Sequence, residues 1–175
     1  VKASAATKNI ELAINLHSSP LVVMGEPVRL QQIAWNLVSN AIKFTEVGGR
    51  VSVSTDRENG EARFVVTDTG IGISPDFIPH VFDRFKQADG STSRVHGGLG
   101  LGLAIAHALT RLHAGELSVA SEGVGHGASF TLKIGLAPEA NLEVEVSEKS
   151  TLSLSGLEIL VVEDSEDTLA LLSTM

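Results

Sequence analysis

The chain has 175 residues, 43% of them hydrophobic, which is enough material for one globular domain and a short extension. It contains no cysteine, which excludes a disulfide framework and a thiolate metal site, and its formal net charge of −8 argues against nucleic acid as a partner. The apolar runs are too short for a membrane span or a signal peptide, so we expect a cytoplasmic location and no membrane contact by this chain.

The first two predicted elements are a strand and a long helix. Residues 10–16 alternate between apolar and polar side chains, which predicts an edge strand. Apolar side chains recur at helical spacing in residues 30–44, which predicts a helix with one buried side. Glu26 and Pro27 predict its start, because proline is tolerated in the first turn and an acid suits the positive end of the helix dipole.

The other side of that helix is polar. Asn36, Asn40 and Lys43 are spaced so that two amides and one ammonium group share a face. An amide oxygen can complete the ligand shell of a Mg²⁺ ion that phosphates and water mainly hold, and a lysine can neutralise phosphate charge. A solvated helix face explains the same spacing, so this block alone leaves both interpretations open.

A hairpin is predicted next, because residues 51–55 and 62–66 alternate or run apolar on either side of an Asn59-Gly60 turn. Its second strand continues into Asp68 and a glycine-containing turn. A carboxylate there can accept a hydrogen bond from the exocyclic amine of a purine, while the glycines let the backbone approach the ring closely. Taken alone, this block favours an ordinary strand-to-loop turn, for which Asp and Gly are the usual residues.

Residues 74–96 are long for a connection in a compact domain, which predicts a lid over a ligand, with residues 87–93 as its most mobile part. Residues 97–107 contain four glycines and open a helix that we expect to end near Leu112. Glycine-rich backbone at a helix start offers N–H groups to an anion. The spacing matches neither of the two commonest nucleotide-binding loops, and a flexible linker is the alternative.

Residues 117–121 and 128–134 predict a second pair of strands around a glycine-rich turn. Thr131, in the second of these strands, is a candidate for the base pocket, although strand propensity alone commonly explains a threonine on a sheet. After residue 137 the composition changes. Residues 138–155 carry four glutamates among serines and are typical of an acidic linker.

Four segments together resemble a known family. NLVSNAIKF, DTGIGI, FDRF and GGLGLGLAIA occur in the order of the N box, first G box, F box and second G box of the catalytic and ATP-binding domain of sensor histidine kinases. The resemblance covers roughly residues 8–136 and implies that residues 1–137 form this domain. The fold that it implies is the α+β Bergerat ATP-binding fold, a two-layer α/β sandwich with a mixed sheet covered on one face by helices.

Position by position, the resemblance implies that Asn40 is a Mg²⁺ ligand with Asn36 beside it, that Lys43 contacts phosphate and that Asp68 reads adenine. Further ATP-pocket residues that it implies are Gly70, Gly72, Ile73, Phe85, Gly98, Leu99, Gly100, Leu101 and Gly102. Phe82 and Phe85 would be the F-box aromatics that anchor the lid, and simple packing into the core is compatible with the same pair.

One residue separates this chain from ATP hydrolases of the same fold. Those enzymes have a glutamate four residues before the magnesium asparagine, and this chain has Asn36 there. An amide cannot act as a general base, so the resemblance implies slow hydrolysis, as a phosphoryl donor to another group requires. A slow ATPase of this fold and a nucleotide-binding interaction module remain the alternatives.

Residues 156–175 begin with a short apolar strand that ends at Glu163 and Asp164, and they resemble the start of a response-regulator receiver domain. The resemblances together imply a hybrid histidine kinase in which the γ-phosphoryl of ATP passes to a histidine on a dimerisation domain and then to a receiver aspartate. No histidine has the H-E-x-R-x-P-like context of the acceptor, so we expect this piece to bind ATP and Mg²⁺ and to transfer nothing at a useful rate. The resemblance is compatible with a parent protein that is anchored in a membrane.

Overall fold

The structure, a computed structural model, describes residues 1–86 and 99–138. In this part of the chain five strands form one sheet in the order β1-β2-β3-β5-β4, and only the pairing of β1 with β2 is parallel. The strands are β1 (Glu11–Asn15), β2 (Arg50–Glu58), β3 (Glu61–Asp68), β4 (Glu116–Ala120) and β5 (Ala128–Gly135). The predicted mixed sheet and the edge position of β1 are therefore confirmed.

Within the described residues, three α-helices accompany the sheet, together with a short 3₁₀ helix at Ile78–His80. They are α1 (Lys2–Thr7), α2 (Pro27–Phe44) and α3 (Gly102–Leu112). The predicted start of α2 at Pro27 and the predicted end of α3 at Leu112 are confirmed, whereas α1 was not predicted. Among the described residues, no helix is long and apolar enough to cross a bilayer.

The core lies between α2 and one face of the sheet. Ile33, Leu37 and Ala41, at helical spacing on α2, are fully buried, as are Val66 of β3 and Phe130 of β5. Successive side chains of a strand point to opposite faces of the sheet. The apolar side chains that alternate along the strands therefore lie on the face that packs against α2. Burial of these side chains holds α2 against the sheet through the hydrophobic effect. The position of the polar side of the same helix is thereby fixed as well.

The two long helices run antiparallel, and one hydrogen bond marks where their ends meet. The backbone N–H of Glu26, at the start of α2, donates to Nε2 of His113, just after α3, at 3.2 Å. The start of α3 consequently lies beside the middle of α2, where a Cβ atom on Gly102 would be 3.7 Å from Oδ1 of Asn36. This arrangement brings the glycine-rich helix start to the polar side of α2.

Several predictions fall on parts of the chain outside the described residues. They are the last part of the predicted lid (residues 87–96), Gly98, the acidic linker after Pro138 and the receiver-like segment that contains Glu163 and Asp164. These remain predictions. The described flank of the lid, up to Lys86, contains the 3₁₀ helix Ile78–His80.

Candidate functional site

A cavity of about 640 Å³ lies between α2, the end of β3 and the start of α3. Ten of the residues predicted from the sequence line it: Asn36, Asn40, Lys43, Asp68, Gly72, Ile73, Leu99, Gly100, Leu101 and Gly102. The three sequence blocks, separated along the chain, therefore meet at one cavity of the size that holds a small ligand.

Asp68 is the buried carboxylate of this cavity, with only 6% of its surface exposed. Its Oδ1 atom accepts the backbone N–H groups of Gly70 at 2.9 Å and of Ala128 at 3.3 Å. Burial raises the pKa of the Asp68 carboxyl, and these two hydrogen bonds act in the opposite direction. The second oxygen, Oδ2, receives no hydrogen bond from the described part of the chain, so it can accept one from a ligand.

The amide of Asn36 is the second polar group of the cavity. Its Nδ2 atom is buried and has no hydrogen-bond partner within residues 1–86 and 99–138. A buried donor without a partner typically costs about 1–3 kcal/mol, so such groups in native proteins require an explanation. A bound acceptor, such as a phosphate oxygen, would satisfy this donor, and Asn36 and Gly102 both line the cavity.

Lys43 supplies the positive charge on the same side of α2. Burial lowers the pKa of its ammonium group from the ordinary value of 10.5. Its Nζ atom lies 4.9 Å from the centre of the Phe44 ring, a distance at which the ring face attracts a cation. Lys43 and Asn40 both line the cavity, so an ammonium and an amide oxygen are available to one ligand.

Two glycines after Asp68 let backbone segments approach each other closely. A Cβ atom on Gly72 would collide with the backbone oxygen of Gly123, and the φ of Gly72 is +70°. A Cβ atom on Gly70 would collide with the backbone oxygen of Phe44. Gly70 does not line the cavity, in contrast to its predicted role as a pocket residue; it acts through the N–H group that it donates to Asp68.

Thr131 does not line the cavity, in contrast to its predicted place in the base pocket. In β5, Ala128, Phe130 and Leu132 are buried on the helix side, so the intervening Thr131 points to the other face of the sheet. Ala128 and Phe130 line the cavity instead. The apolar alternation along β5 is the sequence signal that could have identified these two residues.

The F-box aromatics behave differently from each other. The Phe82 ring stacks on the His107 ring at 4.9 Å and meets the edge of the Phe130 ring at 6.5 Å. Phe85 is 71% exposed and has a φ of +62°, so the prediction that it packs inward is wrong. It does not line the cavity formed by the described residues, and its contact with the nucleotide stays a prediction. Lys86, the next residue, lines the cavity and was not predicted to do so.

Comparison with known proteins identifies the family of this chain. Residues 25–138 match the family model described as histidine kinase-, DNA gyrase B-, and HSP90-like ATPase. The circadian input-output histidine kinase CikA of Synechococcus elongatus is 37% identical over 175 residues, which are 99% of this chain and 23% of CikA. Hybrid signal transduction histidine kinase D of Dictyostelium discoideum is 40% identical over 134 residues, which are 63% of this chain and 9% of that protein.

A solved structure gives the same result. Full-length ShkA in complex with AMPPNP has a TM-score of 0.66 and 36% identity, over 77% of this chain and 28% of ShkA. The chain thus spans less than a third of each of these three proteins. It belongs to the histidine kinase-, DNA gyrase B- and HSP90-like ATPase family, and these relatives within the family are histidine kinases.

Proposed function

We propose that this chain is the ATP-binding catalytic domain of a hybrid sensor histidine kinase. In this proposal it donates the γ-phosphoryl group of ATP to a histidine on a dimerisation domain of the same parent protein, for relay to a receiver aspartate. The observation that carries the proposal is one cavity that combines a buried carboxylate, two amides, an ammonium group and a glycine-rich helix start.

The base side of the cavity suits adenine. Oδ2 of Asp68 can accept a hydrogen bond from the exocyclic amine, since Oδ1 already accepts two backbone N–H groups. The apolar side chains of Ile73 and Phe130 line the same cavity and can pack against the ring. A guanine base presents a carbonyl oxygen at the equivalent position, and a carboxylate repels that oxygen. We therefore propose adenine as the base.

The polar side of α2 suits the phosphates. Nδ2 of Asn36 can donate to a phosphate oxygen, and Lys43 can neutralise phosphate charge. The start of α3 at Gly102 adds backbone N–H groups and the positive end of a helix dipole. All three contacts bind and orient a triphosphate without taking part in proton transfer.

The residues present fit a Mg²⁺ ion that is bound together with the nucleotide. Among the described residues no cluster of three His, Cys, Asp or Glu side chains is positioned to hold a metal, so phosphate and water would supply most of its ligands. The amide oxygen of Asn40 would be the protein ligand. When bound, the ion neutralises negative charge on the phosphates.

Asn36 favours transfer to another group over hydrolysis, because an amide cannot remove a proton from water. A slow ATPase of the same fold is the second candidate, supported by the family description. Steady-state phosphate release separates the two: we expect a rate far below that of authentic ATPases. Release at their rate would favour the ATPase. A nucleotide-binding interaction module is the remaining alternative.

Calorimetric titration with a non-hydrolysable ATP analogue, with and without Mg²⁺, tests the proposal. We expect magnesium-dependent binding by the unmodified chain, and we expect Asn40→Ala to remove the magnesium dependence while some affinity remains. Gln31→Ala is a matched control on the same helix, because Gln31 also has an amide side chain but is exposed and does not line the cavity. Absence of binding by the unmodified chain would contradict the proposal.

The domain organisation is part of the same proposal. Residues 1–137 would be the catalytic and ATP-binding domain, residues 138–155 an acidic linker and residues 156–175 the start of a receiver domain. The name of the hybrid Dictyostelium kinase and the acidic pair Glu163 and Asp164 support this organisation. The partners are then the histidine-bearing dimerisation domain and the receiver domain of the parent, and no nucleic acid.

A further inference from the structure

The ammonium group of Lys8 lies against the last turn of α2. Its Nζ atom donates to the backbone oxygens of Ile42 at 3.0 Å, Lys43 at 2.7 Å and Thr45 at 3.0 Å. An ammonium group has three N–H donors, so these contacts use its whole capacity. Lys8 is therefore committed to this helix end and has no donor left for a ligand.

The end of α2 depends on such a contact. The last four carbonyl groups of a helix have no partner within the helix and form the negative end of its dipole. A left-handed glycine commonly satisfies some of them, but the residue after α2 is Thr45, with an extended backbone. A cation from a distant part of the chain supplies the missing donors instead.

That last turn also carries groups of the candidate nucleotide site. Lys43 and Phe44 line the cavity, and the backbone oxygen of Phe44 accepts the N–H group of Ile71 at 3.1 Å, next to Gly72. The shortest of the three Lys8 contacts is to the carbonyl of Lys43 itself. The position of this peptide unit determines where the side chain of Lys43 starts and therefore which part of the cavity its ammonium group reaches.

Lys8 is itself held in place. It follows α1, in which Ala5 is buried, and precedes the buried Ile10, the residue just before β1. Its own backbone oxygen accepts the N–H group of Gly48 at 3.1 Å, just beyond the end of α2. The segment that contains Lys8 is thus anchored on both sides, which makes the ammonium group a fixed point for the helix end.

We propose that Lys8 is a positioning residue for phosphate binding: by holding the last turn of α2, it places the ammonium group of Lys43 against the phosphates of ATP. This inference rests on the proposed function. It couples α1 to the nucleotide site, because a movement of α1 away from α2 breaks the three hydrogen bonds and shifts Lys43 without touching the base.

The test compares the affinities of a non-hydrolysable ATP analogue and of adenosine, which lacks the phosphates. We expect Lys8→Met to weaken binding of the ATP analogue by about tenfold, since charge-assisted phosphate contacts are lost, and to change adenosine binding by less than about twofold. We expect Lys43→Met to have the same selective effect. Adding Lys8→Met to Lys43→Met should then change little, because coupled residues are not additive.

Two control variants separate positioning from loss of stability. Thr110→Val removes a buried hydrogen bond from Oγ1 to the backbone oxygen of Ala106, at 2.8 Å, and should lower stability without changing the ratio of the two affinities. Lys2→Met removes an exposed lysine of α1 and should change neither quantity. If Lys8→Met does not fold, Lys8→Gln takes its place, because glutamine retains two N–H donors but is neutral. The same ratio, of the affinity for the ATP analogue to the affinity for adenosine, is then measured.

The outcomes are distinct. Selective loss of affinity for the ATP analogue, absent in Thr110→Val, supports the positioning role. An unchanged ratio, or an equal loss for both ligands, would overturn the role of Lys8 and leave the proposed function standing. If the unmodified chain binds neither ligand, the proposed function fails first, and the inference fails with it.

Discussion

The Oδ1 atom of Asp68 accepts the backbone N–H group of Gly70 at 2.9 Å, two residues along the same chain. It also accepts the N–H group of Ala128 from the neighbouring strand. One oxygen therefore fixes the carboxylate at the end of β3 and leaves the other for a ligand. The protein keeps an acid where burial raises its pKa, an arrangement more typical of a binding site than of a scaffold.

Replacing Asp68 by asparagine should separate stability from binding. Because the pKa of the folded state is raised, the folded protein holds the proton more tightly than the unfolded chain, and ionisation costs stability as the pH rises above the ordinary 3.8. Asp68→Asn should therefore raise the free energy of unfolding at pH 7 and lose this advantage as the pH falls towards about 4. Urea denaturation at both values measures this difference.

The same variant should bind the ATP analogue about 10- to 100-fold more weakly, because a hydrogen bond to a charged acceptor contributes about 1.5–3 kcal/mol. Calorimetry measures this loss. Asp76→Asn is the matched control, since Asp76 is an exposed acid outside the cavity. An Asp68→Asn protein with unchanged affinity would show that the carboxylate does not read the base.

Asn36→Leu tests the unpaired amide. Leucine is similar in size and has no buried donor, so the nucleotide-free protein should gain about 1 kcal/mol of stability, the lower end of the cost of an unsatisfied group. Binding of the ATP analogue should weaken while binding of adenosine stays unchanged. Denaturation and calorimetry measure the two effects. A less stable variant would indicate that the amide already has a partner in the free protein.

Much of this fold follows from local sequence patterns. The periodicity of α2 and the Asn59-Gly60 hairpin depend on neighbouring residues, and both turn residues have positive φ, as the tight hairpin turn requires. Asn36, Asn40 and Lys43 could be predicted as a group because helix geometry alone places them on one face. Short-range geometry therefore accounts for most of the polar side of the cavity.

The differences between prediction and structure depend on information that residue spacing does not contain. Thr131 was selected for its chemistry, but the face on which it lies depends on the register of β5 against β3, where Thr131 pairs with Val65. Phe85 was expected to pack into the core beside Phe82. Its own backbone is left-handed, with a φ of +62°, which the spacing of the two residues does not predict. α1 has only six residues, too few for a periodic signal.

Gly72→Ala should remove most of the nucleotide binding. Its Cβ atom would collide with the backbone of Gly123, and the positive φ adds strain of about 1–2 kcal/mol. Gly60→Ala is the control, because Gly60 also has a positive φ but open space around it. We expect the control to lose only the strain and to bind the ATP analogue normally, as measured by denaturation and calorimetry. Equal losses in both variants would mean that close backbone approach at Gly72 is unimportant.

The two F-box phenylalanines should differ in their contribution to stability. Phe82 contacts His107 of α3 and Phe130 of β5, so its ring links α3 to the sheet. Phe82→Ala should cost about 2–3 kcal/mol, less than a fully buried phenylalanine because its ring is only half-buried. Phe85→Ala should change the free energy of unfolding by less than about 0.5 kcal/mol, as expected for a surface position. Urea denaturation without nucleotide measures both values, and a loss at Phe85 as large as that at Phe82 would show that Phe85 packs inward in solution.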